Sequence, residues 1–138
     1  MKEEFVTYET ALALKELGFN EPCLVYWVFD GKEITFSTSH NKSGWSMIGY
    51  KNSQMNKKAG LCTAPLKQQA FRWFREKYKP EELNFYIHLL DTHTIPKEYL
   101  PCYTIRRGVN IIEIKTSDTY EEAESVCIDK LIEIIKNK

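Results

Sequence analysis

The sequence predicts an α+β fold: a mainly antiparallel sheet of about five strands with three helices packed on one face. Three observations carry this. An Asp30-Gly31 step lies between two β-prone runs, three segments have helical periodicity with identifiable ends, and no strand–helix–strand alternation or internal repeat runs along the chain. The predicted order is α-β-β-α-β-β-β-α, in a single domain spanning residues 1–138. A length of 138 residues fits one core.

The first helix is expected from about Tyr8 to Leu17. Thr7 supplies an N-cap hydroxyl. Gly18 stands where a left-handed residue ends a helix, and Phe19 can fold back on Leu14. Cys23 to Ser37 then reads as a hairpin. A two-residue turn at Asp30-Gly31 needs positive φ at both positions, which these two residues tolerate. That turn sets Trp27 opposite Ile34 and Val25 opposite Phe36, on one buried side with Cys23 and Phe29. Val28 with Glu33 and Tyr26 with Thr35 form the wetter side. Residues 38–62 show no sustained period and read as a long loop, with a short strand at Ser46–Tyr50 left open.

Ala64-Pro65 is expected to open the second helix, because proline is tolerated in a first turn. Ala70, Phe71, Trp73, Phe74 and Tyr78 give it an apolar stripe. Lys67, Arg72, Arg75 and Lys77 read as solvated or partner-facing charges, and Lys79-Pro80 ends it. Leu83–Leu90 alternates Phe85, Ile87 and Leu89 against Asn84, Tyr86 and His88, a strand with one apolar face. Tyr103 with Ile105, and Ile112 with Ile114, mark two more strands joined around Gly108-Val109-Asn110. Thr119-Tyr120-Glu121-Glu122 is a capping box that starts the last helix. Tyr120, Ala123, Val126, Cys127, Leu131 and Ile134 form its inward stripe.

Composition excludes several classes of protein. Hydrophobic residues make up 43% at zero net charge, which is too apolar and too neutral for a disordered chain. The first residues, Met1-Lys2-Glu3-Glu4-Phe5, lack the apolar stretch of a leader, and no run approaches the ~18 apolar residues of a membrane span. Cys23, Cys62, Cys102 and Cys127 are widely spaced, without C-x-x-C pairs. They read as reduced packing residues in a cytoplasm, with no disulfide framework, metal or other cofactor implied.

No catalytic motif is present. His88-x-x-Asp91-x-His93 has metal-ligand residue types but no third strong ligand nearby. Gly44-x-Ser46-x-x-Gly49 has the wrong spacing for a nucleophile elbow. An enzyme would need a site assembled from dispersed residues, such as His88 and Cys102. Charge is the one global signal. Residues 41–79 hold nine Lys and Arg against Glu76 alone, while the segments on either side are acidic. Trp45 and Tyr50 are interleaved with these cations. Trp45, Tyr50, Lys51, Lys57, Lys58, Lys67, Arg72 and Arg75 are therefore the candidate binding residues for a nucleic-acid backbone and its bases. The competing reading is that this excess neutralises the acidic flanks or docks an acidic protein.

Three stretches together carry a resemblance. They are Phe5-Val6-Thr7-Tyr8-Glu9-Thr10-Ala11 with Lys15-Glu16-Leu17-Gly18-Phe19, Thr63-Ala64-Pro65 with Trp73-Phe74-Arg75-Glu76, and Tyr120-Glu121-Glu122-Ala123. With them the chain resembles a group of small uncharacterised proteins encoded by phages, prophages and mobile elements of Bacteroides-type gut bacteria. The resemblance implies a setting in the bacterial cytoplasm or the virion, and no activity, cofactor or site residue. The expected function is a non-enzymatic accessory or minor virion protein that binds a host or phage protein. The alternative is a small nucleic-acid-binding module that uses residues 41–79.

Overall fold

The computed structural model describes residues 2–36, 38–41, 44–47, 49–54 and 61–137. The chain is α+β with antiparallel strand pairing, and it divides into two compact units, Met1–Leu66 and Lys67–Lys138. Among the described residues, two three-stranded sheets and a two-stranded ribbon replace the expected single sheet of about five strands. The element order gains three short strands between the first hairpin and the second helix.

In the first unit, helix α1 spans Tyr8–Glu16. Thr7 Oγ1 accepts from the Thr10 amide at 3.2 Å. At the other end Gly18 has φ 97°, its amide donates to Lys15 O, and the Phe19 amide donates to Leu14 O at 2.9 Å. This is the Schellman ending the sequence predicts, and it buries Phe19 and Leu14.

Strands β1 (Val25–Val28) and β2 (Glu33–Phe36) pair in the expected register, Trp27 opposite Ile34 and Val25 opposite Phe36. The turn differs. Phe29, Asp30 and Gly31 all have positive φ (52°, 53° and 90°), so four residues connect the strands instead of two. A left-handed Phe29 leaves the ladder one pair early. It is 66% exposed, not on the buried side with Val25 and Trp27. Packing explains the wider turn: a Cβ on Gly31 would lie 2.4 Å from the Tyr8 ring, so the loop is pressed against the start of α1. Trp27 is 8% exposed, donates Nε1–H to Val6 O at 3.3 Å and meets Tyr8 edge-on.

The described residues between 38 and 63 include strands that their composition does not suggest. Strands β3 (Thr38–Asn41) and β4 (Gly44–Met47) form the ribbon, and β5 (Cys62–Thr63) pairs with the other side of β1. Short polar strands paired on one side produce no hydrophobic period, so the pattern misses them. Tyr50 exchanges both backbone hydrogen bonds with Cys23, at 2.8 and 2.9 Å. Buried Asn52 joins three segments: its Nδ2 donates to Phe19 O at 2.8 Å, and its Oδ1 accepts from Thr63 N at 3.0 Å.

Ala64-Pro65 does not open the second helix. The Ala64 amide donates to Val25 O and Pro65 O accepts from Val6 N, so both residues remain part of the extended backbone network. In the second unit, helix α2 starts at Lys67 and ends at Lys77, short of Lys79-Pro80. Ala70, Phe71, Trp73 and Phe74 are buried as expected. Strands β6 (Asn84–Asp91), β7 (Tyr99–Arg107) and β8 (Asn110–Thr116) form a meander in the order β6-β7-β8. Helix α3 spans Tyr120–Lys136, with Thr119 Oγ1 accepting from Glu122 N. Its buried stripe is rotated from the expected one: Glu124, Ile128 and Ile132 join Ala123, Cys127 and Leu131, while Tyr120 is exposed. No helix among the described residues is long and apolar enough to cross a membrane.

The hairpin geometry yields a stability test by urea denaturation. Trp27→Ala should cost about 3–5 kcal/mol, whereas Phe29→Ala should stay within about 0.5 kcal/mol because its ring is exposed. Gly31→Ala should cost more than about 1 kcal/mol, from positive φ and the clash with Tyr8. A small Gly31→Ala effect would contradict the close approach of turn and helix.

Candidate binding face

The ladder of β6, β7 and β8 sorts their side chains onto two faces. Phe85, Ile87, Tyr103 and Ile105 lie on one. Phe85 meets Phe71 at 5.5 Å and Phe74 at 6.3 Å between ring centroids, so this is the face α2 packs against. Lys130 of α3 reaches Glu113 on the same side at 3.7 Å. The other face carries Tyr86, Thr104 and Ile114 in one cross-strand row, with Asn84, Arg106 and Ile111 on one side of it and His88, Cys102 and Thr116 on the other.

A bulge sets what this outer face displays. Ile105 opposes Glu113, but Arg106 opposes Ile111, so Ile112 is an extra residue in β8. Three positions apart in a regular strand, Ile111 and Ile114 would point to opposite faces; the bulge puts them on one. Ile111, Ile112 and Ile114 are 51%, 39% and 52% exposed. Tyr86 is also exposed, with the His88 ring 5.3 Å away and the Arg106 guanidinium 6.0 Å from its centroid. Cys102 and Thr104, smaller residues in the same cross-strand rows, are buried. Among the described residues, His88 Nδ1 and Arg106 Nε are buried without a hydrogen-bond partner.

His88 and Cys102 are direct cross-strand partners, a proximity that no sequence spacing reveals. The pair is not set up as a thiolate nucleophile. Burial raises the Cys102 pKa, and its Sγ lies 3.6 Å from Tyr103 O. A neutral thiol turned to a backbone carbonyl is a poor nucleophile. Two shallow recesses flank the sheet. One, of ≈ 150 Å³, is lined in part by Arg75, Tyr86 and Tyr120; the other, of ≈ 250 Å³, by Glu113, Lys115, Asp129 and Lys130. Both fall below the ~300–1,000 Å³ usual for small-molecule sites.

The candidate residues from the basic segment are distributed between the units. Trp45 pairs with His40 across the β3–β4 ribbon. Lys57 and Lys58 lie outside the described residues. In the first unit Tyr50 is half-buried against Tyr26, and exposed Lys51 begins the turn capped by Gln54. In the second, Arg72 lies 3.9 Å from Glu76, and Arg75 lies over the Phe85 ring at 4.8 Å.

Lys67 is not a solvated charge. It is 6% exposed and donates Nζ to Glu121 O at 3.2 Å. Next to it, Gln68 hydrogen-bonds the Glu124 carboxylate, so the first turns of α2 and α3 are tied together. Burial raises the Glu124 pKa, and neighbouring Lys67 opposes that shift. A signal for this was present: Lys67 is three, four and seven residues from Ala70, Phe71 and Phe74, on their stripe. In the His88–His93 segment, Asp91 accepts from the His93 amide at 2.8 Å and pairs with Lys97 at 3.2 Å, while the His93 side chain is 89% exposed.

No protein-family model, no curated protein and no solved structure matches the chain.

The cysteines supply the test here. All four are buried and unpaired with one another. Burial pushes the Cys62 pKa up to about 11 and that of Cys127 to about 12. The native protein should resist thiol labelling at pH 8, and all four thiols should react in denaturant. Above the ordinary thiol value of ~8.5, an unfolded Cys127 sheds its proton while the folded one keeps it. Stability then falls with rising pH, by up to about 1.4 kcal/mol per unit. Cys127→Ala should flatten that alkaline decline in urea melts recorded at successive pH values. Rapid native labelling of any cysteine would overturn its burial.

Proposed function

We propose that this chain is a non-enzymatic accessory or minor virion protein that works by binding another protein through β8 and the outer face beside it. The observation that carries the reading is the display of Ile111, Ile112 and Ile114 on a strand that, among the described residues, pairs with β7 alone. An edge strand presents unpaired amides and carbonyls to an incoming strand. Tyr86 and Arg106 add the residue types that anchor protein interfaces. The phage or prophage setting, in the bacterial cytoplasm or the virion, rests on the three sequence stretches that resemble that group.

The test compares the wild-type chain with an Ile111→Lys/Ile114→Lys variant as baits in lysate from lysogenic or infected cells. A protein retained by the wild type and lost by the variant should then bind the purified chain and slow hydrogen exchange in β8. A retained protein indifferent to both substitutions would sink the assignment of the face.

The nucleic-acid reading keeps Lys51, Arg72 and Arg75 as exposed cations, and loses Lys67 to burial. Fluorescence anisotropy with labelled DNA and RNA across a salt series tests it. Weak or no binding is expected at low salt. Tight binding with a log–log salt slope of about 0.7 per phosphate neutralised would reverse the preference.

A further inference from the structure

The β8 edge has a property that names its occupant. Glu113 and Lys115 flank Ile114, and all three belong to the ladder that follows the bulge. If two copies of β8 run antiparallel with Ile114 on a two-fold axis, each Glu113 faces the other copy's Lys115. Ile114 then meets its own counterpart on the outer face, and Ile112 lies opposite Thr116. Opposite charges directly across a pair of strands are favourable, like charges are not, and β-branched neighbours pack well on a pleated face. A parallel alignment would put Glu113 beside Glu113, so the charges also select the direction.

A two-fold interface is self-complementary by construction, and this five-residue stretch, Ile112-Glu113-Ile114-Lys115-Thr116, already has that symmetry. The bulge marks its limit: past Ile112 the strand leaves regular register. Glu113 keeps its 3.7 Å contact with Lys130, because Lys130 comes from α3 and the second strand would arrive in the plane of the sheet.

We infer that the partner at the β8 edge is a second copy of this chain, paired antiparallel about Ile114 so that two three-stranded sheets join into one of six strands. This rests on the preceding reading that β8 is the binding edge, and it adds the identity of the occupant.

Sedimentation velocity and light scattering on the whole chain, over a wide concentration range, should show a monomer–dimer equilibrium. Lys115→Glu sets Glu113 against a new acid twice per dimer and should weaken association at least ~tenfold. Combining it with Glu113→Lys reverses both charges and should restore the dimer. If the reversal at Glu113 disturbs folding, hydrogen exchange on the unaltered protein decides: the amides of Ile112–Thr116 should slow as concentration rises. A monomer at every concentration overturns self-pairing while leaving β8 open to a foreign strand, which the paired-bait comparison detects separately. A dimer unaffected by Lys115→Glu and by Ile114→Lys overturns it too, since association would then use another surface.

Discussion

Residues Lys67–Lys138 are organised by β7, the strand hydrogen-bonded on both sides and buried on both faces. Cys102, Tyr103, Thr104 and Ile105 are each almost fully enclosed. Tyr103 and Ile105 belong to the helix-facing side, while Cys102 and Thr104 occupy the outer one. The choice of small residues outward and large ones inward is what makes the second unit asymmetric. Large groups on one side fill the space under the helices. Small groups on the other leave a floor around which Tyr86, His88, Arg106 and Ile114 stand. Tyr103 also feels this enclosure directly: burial, followed by the nearby Glu113 carboxylate, raises its pKa.

The first unit solves a different problem, holding together elements too short to be stable alone. β5 has two residues and β1 four. Asn52 and the Cys23–Tyr50 bridge supply the missing connections with side-chain amide and backbone hydrogen bonds. Buried polar groups are stabilising only when satisfied, and the Asn52 amide has a partner on both its oxygen and its nitrogen. Thr63 shows the other outcome: its Oγ1 is buried with no hydrogen-bond partner among the described residues. That is a local cost next to the clamp.

Sequence reasoning reached the elements whose determinants are local. The ends of α1 and the start of α3 follow from Thr7, Gly18 and Thr119, each acting within four residues of itself. The β1–β2 register came through even though its turn did not, because widening a loop symmetrically by one residue at each end leaves every pair unchanged. What stayed hidden depends on contacts distant in sequence. Ala64-Pro65 has the chemistry of a helix start, but Val25 and Val6 hold it extended. Lys67 looks like a surface cation until α3 is placed beside it. For the candidate site the limit was sharper still. Neither the bulge at Ile112 nor the His88–Cys102 juxtaposition has any signature in composition or period.

The bulge has a consequence for how this surface can change through descent. Losing the single codon for Ile112 would restore strict alternation in β8 and leave Ile111 two positions from Ile114, so both would keep the outer face and their partners on β7. Point substitutions alter an interface one side chain at a time. A strand with one surplus residue can instead lose a side chain and its kink in one deletion, with every flanking cross-strand pair and face kept.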